Sequence, residues 1–524
     1  MMKSAPRRWI RALIAILVAL VPCSSASGGG SDAVDRARPS WLRDGQPTAQ
    51  AQALVARLRH VEEFGLDAAD FAPWMATLET PPDPTRAAAF DAALNLAALR
   101  LMKQLHDGRV APADAGYELS HRRSPVDFDS MLDALAESPD VGATLASLEP
   151  RSSQYRALQR ALARYRGLSE TFVASPSSGL VRAGDAYAGA ASLRLRLEEL
   201  GDAGPPPAGG SVLGDVYDDA LAAAVARFQR RHGLQADGVL GPRTRDELSV
   251  PASARIRQIE LTMERWRWLP ELRAPAVIVN VPQYMLYTLP EADLGDSAQP
   301  RKIPVIVGRM QTMTPVFDSR IEAVVFRPWW EVPRDITRKE ILPLLERDPG
   351  YLARHDMEIV RGGETPVALR DDADGIAALR AGRARLRQRP GPRNSLGLIK
   401  FVLPNRHAVY LHSTPEAALF AGDRRAYSHG CIRVSDPTAL AAYLLRGTPG
   451  NWNVDAIEAA TCASETITVR LAKPVPVYIL YGTAVADGQQ VLFFDDVYGY
   501  DRKLAALLSR AAAAGAASAF NARP

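Results

Sequence analysis

A chain of 524 residues with 47% apolar side chains is long enough for two to four domains, each with a sizeable core. Its 63 basic and 59 acidic residues give a formal charge of only +4, without the basic excess that nucleic acid or an anionic membrane surface demands of a partner. Three cysteines are too few for a disulfide framework.

The first 26 residues read as a secretory signal peptide. Lys3, Arg7, Arg8 and Arg11 form a basic start, residues 12–21 are an uncharged apolar run, and Ser24-Ser25-Ala26 offers small residues for cleavage. The run is short for a membrane span, although an uncleaved anchor stays open as the alternative. Pro22 before Cys23 fits a lipidation site poorly. Loss of this segment removes four basic and no acidic residues, so the formal charge falls from +4 to zero. Cys431 and Cys462 remain, in an exported compartment where a disulfide between them is the competing reading.

From about residue 49 to 165, apolar residues recur at helical spacing, as in Leu94, Ala98, Leu101 and Leu105, punctuated by Pro81, Pro82, Pro84, Pro112 and Pro125. Asp129, Asp133 and Glu137 read as a solvated helix face. A second unit over residues 180–250 shows a leucine stripe ending at Gly201, a Pro/Gly-rich loop at 204–210, and a second stripe, Leu221, Val225 and Phe228, ending at Gly233. Gly241-Pro242 opens a third helix. Ala224-Val225-Ala226-Arg227-Phe228-Gln229, His232-Gly233-Leu234 and Ala236-Asp237-Gly238-Val239-Leu240-Gly241 together resemble the peptidoglycan-binding type 1 module, which implies a cell-wall setting.

A helix through Ile256, Ile259, Met263 and Trp266 leads into β-branched and aromatic runs at 277–281, 284–287, 302–308 and 321–326, the pattern of a sandwich or barrel. Residues 331–393 interrupt it with helical spacing at Ile341, Leu344 and Leu345 and again from 376 to 386. An excursion of that length suggests a lid. Arg380, Arg383, Arg385, Arg387 and Arg389 make it basic, either as a solvated face or to hold acidic substrate groups. Strands resume at 399–402 and 408–412, a helix starts at Asp436-Pro437, and strand-like runs follow at 466–471, 475–481 and 491–494.

The chemistry concentrates at Ser428-His429-Gly430-Cys431-Ile432-Arg433, with Tyr410-Leu411-His412 upstream. Strand alternation puts Tyr410 and His412 on one face. A thiol opposite them would gain an imidazole base and a phenol donor, which a cysteine nucleophile needs at neutral pH. Gly430 allows a tight turn that would bring N–H groups to a reacting carbonyl, each such donor being worth about 2.7–4 kcal/mol. His412, His429 and Cys431 as zinc ligands, or an inert buried cysteine, are the competing readings.

The hexapeptide at 428–433 resembles the signature of the L,D-transpeptidase (YkuD-type) catalytic domain. Pro328-Trp329-Trp330-Glu331-Val332-Pro333, Asn394-Ser395-Leu396-Gly397, Tyr410-Leu411-His412-Ser413-Thr414-Pro415 and Asp495-Asp496-Val497-Tyr498-Gly499 extend the likeness to the YcbB-like subfamily. The resemblance implies that Cys431 attacks the bond after meso-diaminopimelate in a tetrapeptide stem, releasing D-alanine and leaving a thioester. An amine of a second stem then resolves it. His412 is implied as base, oriented by the Ser413 carbonyl, with Tyr410 and the backbone at Gly430 and Cys431 around the oxyanion. His429, Arg433, Ser428 and Trp329 are implied on the substrate side. Arg433 stands where many relatives have asparagine. No cofactor or metal is implied; acylation by carbapenems is.

The expected architecture is multidomain α+β: a signal peptide (1–26), a helical scaffold (27–175), a three-helix peptidoglycan-binding-like domain (176–250), and a mostly-β catalytic domain (251–524) with a helical lid insertion (331–393). The expected protein is a periplasmic monomer acting on peptidoglycan stem peptides. Other cell-wall synthesis enzymes are candidate partners, and nucleic acid is not. An L,D-carboxypeptidase or hydrolase, and a non-catalytic wall-binding protein, are the alternatives.

Overall fold

Helices form where apolar residues repeat every three or four positions. The structure, a computed structural model, describes residues 38–521 except 81, 173–178, 205–213, 290–299, 346, 349 and 364–365. The expected signal peptide, Cys23, Pro81 and most of the loop at 204–210 lie outside the described residues. No helix among the described residues is long and apolar enough to cross a membrane.

In the N-terminal scaffold, α1 (Ala49–Leu58) buries Ala51, Leu54, Val55 and Leu58, and the Thr48 hydroxyl caps it by accepting from the Ala51 N–H. Helix α2 (Ala87–Asp107) buries Leu94, Ala98, Leu101 and Leu105 against it and against α3 (Phe128–Glu137). Asp129 and Glu137 on α3 are exposed and Asp133 partly so, as a solvated face requires. Helix α4 (Ser153–Arg166) leaves that core: Tyr155, Leu158, Leu162 and Tyr165 pack with residues far downstream.

Three helices, α5 (Ala190–Glu199), α6 (Asp219–Arg231) and α7 (Pro242–Leu248), build the small second unit around Leu193, Leu197, Leu221, Val225, Phe228 and Leu248. Helix α8 (Ala252–Arg267) then joins everything. Its Arg255 pairs with Glu247 of α7. Glu264 accepts from the Arg109 N–H at 2.5 Å and from Arg267 at 3.0 Å, and Arg267 also reaches the Tyr155 hydroxyl at 3.1 Å. Arg265 meets Asp501 of the C-terminal helix at 2.5 Å. All four side chains on α8 are buried, so each charge depends on its partner.

The catalytic body is a closed ring of eight strands. In chain order the strands used here are β1 (Tyr117–Glu118), β2 (Val277–Asn280), β3 (Met285–Thr288), β4 (Arg301–Gly308), β5 (Val316–Phe326), β6 (Trp330–Glu331), β7 (Met357–Arg361), β8 (Val367–Leu369), β9 (Arg385–Gln388), β10 (Ile399–Val402), β11 (Leu411–His412), β12 (Ala426–Ser428), β13 (Ile432–Val434), β14 (Ile467–Leu480), β15 (Ala484–Asp487) and β16 (Gln490–Phe493). The ring runs β10-β11-β13-β4-β3-β2-β14-β5 and closes from β5 to β10. Two neighbours, β11–β13 and β2–β14, are parallel; the others are antiparallel. Alternate residues, among them Val324, Phe401, Leu411 and Ile432, fill the interior. β1, from the scaffold, adds to the rim of β5. The runs at 466–471 and 475–481 are one strand, β14, with a register shift between Arg470 and Val475.

The insertion is not purely helical. It carries its own sheet, ordered β8-β7-β9-β6, over a core of Val332, Ile341, Leu345, Ile359, Leu379 and Leu386. The helix expected over 376–386 is Ala373–Arg380, stopped at Gly382 with φ +69°, after which Arg385, Leu386 and Arg387 alternate as a strand with only Leu386 buried.

Glu264→Ala, which strands Arg267 in the scaffold joint, is expected to cost about 3–5 kcal/mol of stability. Urea unfolding followed by tryptophan fluorescence measures it.

Candidate active site

The pairing of three adjacent strands builds the site. Phe401 pairs with Leu411, and Leu411 with Ile432, all three pointing into the barrel. Their neighbours therefore point out: Lys400 pairs with His412, and His412 with Arg433. Two residues earlier, Tyr410 and Cys431 lie side by side on the same outer face, and the Ile432 N–H donates to the Tyr410 carbonyl at 3.0 Å. The Tyr410 and His412 rings meet edge to face, with centroids 5.7 Å apart.

The thiol is free and partly exposed. Its Sγ lies 3.8 Å from the Ala408 carbonyl, and both the N–H and the hydroxyl of Tyr410 lie within its reach. Burial pushes the thiol up from its ordinary value; the Tyr410 N–H and hydroxyl, then Lys400 and Arg433, pull against that. His412 is fully enclosed, and burial lowers its pKa to about 3. The Ser413 carbonyl, 2.6 Å from Nδ1, opposes the shift, and Arg433 and Lys400 add to it. At neutral pH both groups therefore rest uncharged, a thiol and a neutral imidazole on one face of the sheet. Among the described residues, Sγ bonds toward the Ala408 carbonyl and not to the imidazole.

The base is held from behind. The Ser413 hydroxyl donates to the Leu396 carbonyl at 3.0 Å and accepts from the Ile399 N–H at 2.9 Å, while the Ser413 N–H donates to the Ile399 carbonyl. Ser413 thus fixes the carbonyl that orients His412. Gly397 makes room for it: with φ +61°, a Cβ there would stand 2.3 Å from Ser413 Oγ and 2.8 Å from the Thr414 nitrogen.

The cysteine loop is braced as well. Gly430 has φ +112°, its N–H donates to Ser428 Oγ at 3.1 Å, and its carbonyl accepts from Thr314 Oγ1 at 2.9 Å. Thr314 in turn accepts from the Gly308 N–H, and the Tyr498 hydroxyl donates to the Gly308 carbonyl. The Gly430 amide is therefore occupied, whereas the Cys431 amide has no acceptor among the described residues.

Several expected substrate contacts are placed differently. Ser428 is buried, and its hydroxyl also donates to the Cys431 carbonyl, so it shapes the loop from within and does not reach outward. Trp329 stacks under Arg387, 3.9 Å from the guanidinium, and it is Trp330 whose indole reaches the Tyr410 hydroxyl. His429 is exposed, with Nε2 2.7 Å from both Arg309 Nη2 and Glu340 Oε1, the latter on the helical turn Thr337–Ile341 of the insertion. Arg433 pairs with Glu416. The arginines of the insertion serve it internally: Arg385 holds Glu331, while Arg387 and Arg389 share Glu358. Lys400, Trp330 and Glu340 escaped the sequence reading. Lys400 carried the clearest signal, being the polar member of the alternating Ile399-Lys400-Phe401 run, flanked on both sides by inward apolar residues.

Comparison with known families agrees with this geometry. Residues 274–452 match the L,D-transpeptidase catalytic domain, 189–248 the family described as "Putative peptidoglycan binding domain", and 34–162 a scaffold domain. A Haemophilus influenzae protein named "Putative L,D-transpeptidase" is 29% identical over 248 residues, which cover 47% of this chain and 49% of that protein. The aligned part is thus about half the length of the relative. The chain carries an L,D-transpeptidase catalytic domain and a peptidoglycan-binding type 1 domain.

Two outcomes are expected. Gly397→Ala, which pushes Ser413 and the carbonyl behind His412, lowers activity at least tenfold and also lowers stability, in a steady-state assay paired with thermal unfolding. Alkylation of Cys431 by iodoacetamide, followed by peptide mass spectrometry, keeps accelerating above pH 9, because the thiolate forms only above the raised pKa. A rate already level at pH 7 would mean a resting thiolate–imidazolium pair.

Proposed function

We propose that the protein is an exported L,D-transpeptidase that cross-links peptidoglycan stems through a thioester on Cys431. The observation that carries this reading is the shared outer face of β11 and β13, which sets Cys431 beside Tyr410 and on the same face as His412, two residues along. The family match over 274–452 supports the chemistry, and the peptidoglycan-binding domain supports the polymer.

In the first half-reaction, His412 Nε2 takes the thiol proton as Sγ attacks the meso-diaminopimelate carbonyl carbon that is bonded to the D-alanine nitrogen in a tetrapeptide stem. The carbonyl oxygen becomes an oxyanion, stabilised by the Tyr410 hydroxyl and the free Cys431 amide. As the tetrahedral adduct collapses, the C–N bond breaks, the imidazolium gives its proton to the leaving nitrogen, and D-alanine departs. A diaminopimelate amine of a second stem then attacks the thioester, losing a proton to His412, and the thiolate leaves and is reprotonated. The low pKa of His412 keeps the base unprotonated at rest, and the imidazolium lasts only while a negative charge stands beside it.

Arg433 is exposed enough to exchange Glu416 for a substrate carboxylate, and His429 lies where the insertion meets the loop. We read residues 331–393 as a cap over the site, 27–175 as a scaffold, 176–250 as the wall-binding domain, and 1–26 as a cleaved signal that delivers the protein to the periplasm. Carbapenems, as acylating agents, would label Cys431.

Purified protein incubated with tetrapeptide muropeptides is expected to give cross-linked dimers and free D-alanine, and Cys431→Ala to give neither. His412→Ala is expected to lower the rate by about 10²- to 10⁴-fold, the range of general-base contributions. Tripeptide monomers without dimers would mean that water is the acceptor and the protein is a hydrolase. Turnover that survives Cys431→Ala would sink the thiol mechanism.

A further inference from the structure

Lys400 takes no part in the mechanism above, yet it stands in the middle of the site face. It is the register partner of His412 on β10, half-buried, with Nζ 4.2 Å from the centroid of the Tyr410 ring. The other cations nearby are neutralised by the chain itself. Arg433 pairs with Glu416, and Arg309 lies 3.6 Å from Glu340. Glu331, the carboxylate whose field reaches Lys400, is held by Arg385 at 3.0 Å. Among the described residues no carboxylate lies within ion-pair distance of Lys400, which leaves it the uncompensated positive charge beside Cys431.

A half-buried ammonium without a carboxylate costs desolvation energy, and a site that bears this cost needs the charge. The ring face beneath Nζ recovers part of it, since a cation over a phenol is attracted by the ring quadrupole. The same contact restricts the ring whose hydroxyl reaches Sγ. Attack creates negative charge first on sulfur and then on the carbonyl oxygen, and both events fall in the field of a cation that, among the described residues, no carboxylate pairs.

We propose that Lys400 is a positioning residue for the Cys431 chemistry: it pins the Tyr410 ring and supplies the positive field under which charge develops on the sulfur and the oxyanion. The proposal rests on the reading of Cys431 as nucleophile. Burial and the Cys431 and Glu331 charges act on Lys400 in opposite senses, with burial the larger, and its pKa is lowered.

The test is the pH profile of Cys431 alkylation by iodoacetamide in the full chain, in a Cys462→Ser background, read on the Cys431 peptide by mass spectrometry. Lys400→Met is expected to move the midpoint upward by about half to one pH unit, which slows alkylation at pH 7.5 about three- to tenfold. Lys400→Arg keeps the charge over the ring and should stay within about twofold of the parent. Thermal unfolding confirms that each variant is folded, and Lys400→Gln carries the test where methionine disturbs the sheet. A Lys400→Met or Lys400→Gln profile that superimposes on the parent's would overturn the proposal. The assay needs no cell-wall substrate. A protein that alkylates as expected and yet forms no cross-link overturns the functional reading and leaves the role of Lys400 standing.

Discussion

The site exists because β11 and β13 pair in parallel with Leu411 opposite Ile432. Side chains alternate along a strand, so this one register decides two things together. It seals the barrel with Val324, Phe401, Leu411 and Ile432, and it sets Lys400, His412 and Arg433 in a row outside, with Tyr410 and Cys431 beside them. A slip of one residue would drive an imidazole and a guanidinium into an apolar core and turn two aliphatic side chains to solvent. The barrel's own packing therefore guards the reactive geometry, and a short pair of strands suffices. The braces at either end, Ser413 against Gly397 and Thr314 against Gly308 and Tyr498, hold the chain where the strands stop.

Burial also sets the protonation states. The environment that depresses His412 raises Cys431, because in both cases it disfavours the charged form. A resting ion pair is thereby avoided, and a thiol that rests protonated is shielded from adventitious alkylation and oxidation. Any charge that forms later at this face meets fixed donors and cations already in place, which is where they act most strongly.

Much of this was legible in the sequence, and the rest was hidden for identifiable reasons. Period-two alternation is enough to join Tyr410 and His412, and the family likeness of 428–433 is enough to pick out Cys431. Helices with clean stripes, α1, α2, α6 and α8, follow from spacing. Parallel pairing between strands that are not consecutive leaves no local trace, so the row through Lys400 could not be read. Trp329 and Trp330 are adjacent, and only the pairing of β6 with β9 decides which one turns to Tyr410. The arginines at 385, 387 and 389 looked like an anion-binding surface because their carboxylates, Glu331 and Glu358, stand 29 residues or more away in the chain. Ser428 looked like a contact because a sequence does not show that a hydroxyl is already bonded.

The same lesson bears on the peptidoglycan-binding domain. His232 and Gly233, prominent among the residues that carry its family likeness, are turned to the rest of the chain: the buried His232 ring stacks between Phe228 and Phe493, and the partly buried Gly233 abuts Phe494. Arg231 is buried too, bonded to Asp202 and to the Tyr165 hydroxyl and Val491 carbonyl across the joint. One edge of the domain is thus committed to the hairpin β15–β16 and to α4, and only its remaining surface stays open to a ligand. Because the joint is a buried ion pair within an aromatic stack, the orientation of this domain relative to the barrel is fixed by packing and not left to a linker. A domain held that way cannot swing independently of the barrel, so whatever its remaining surface meets is met at one fixed angle to the Cys431 face.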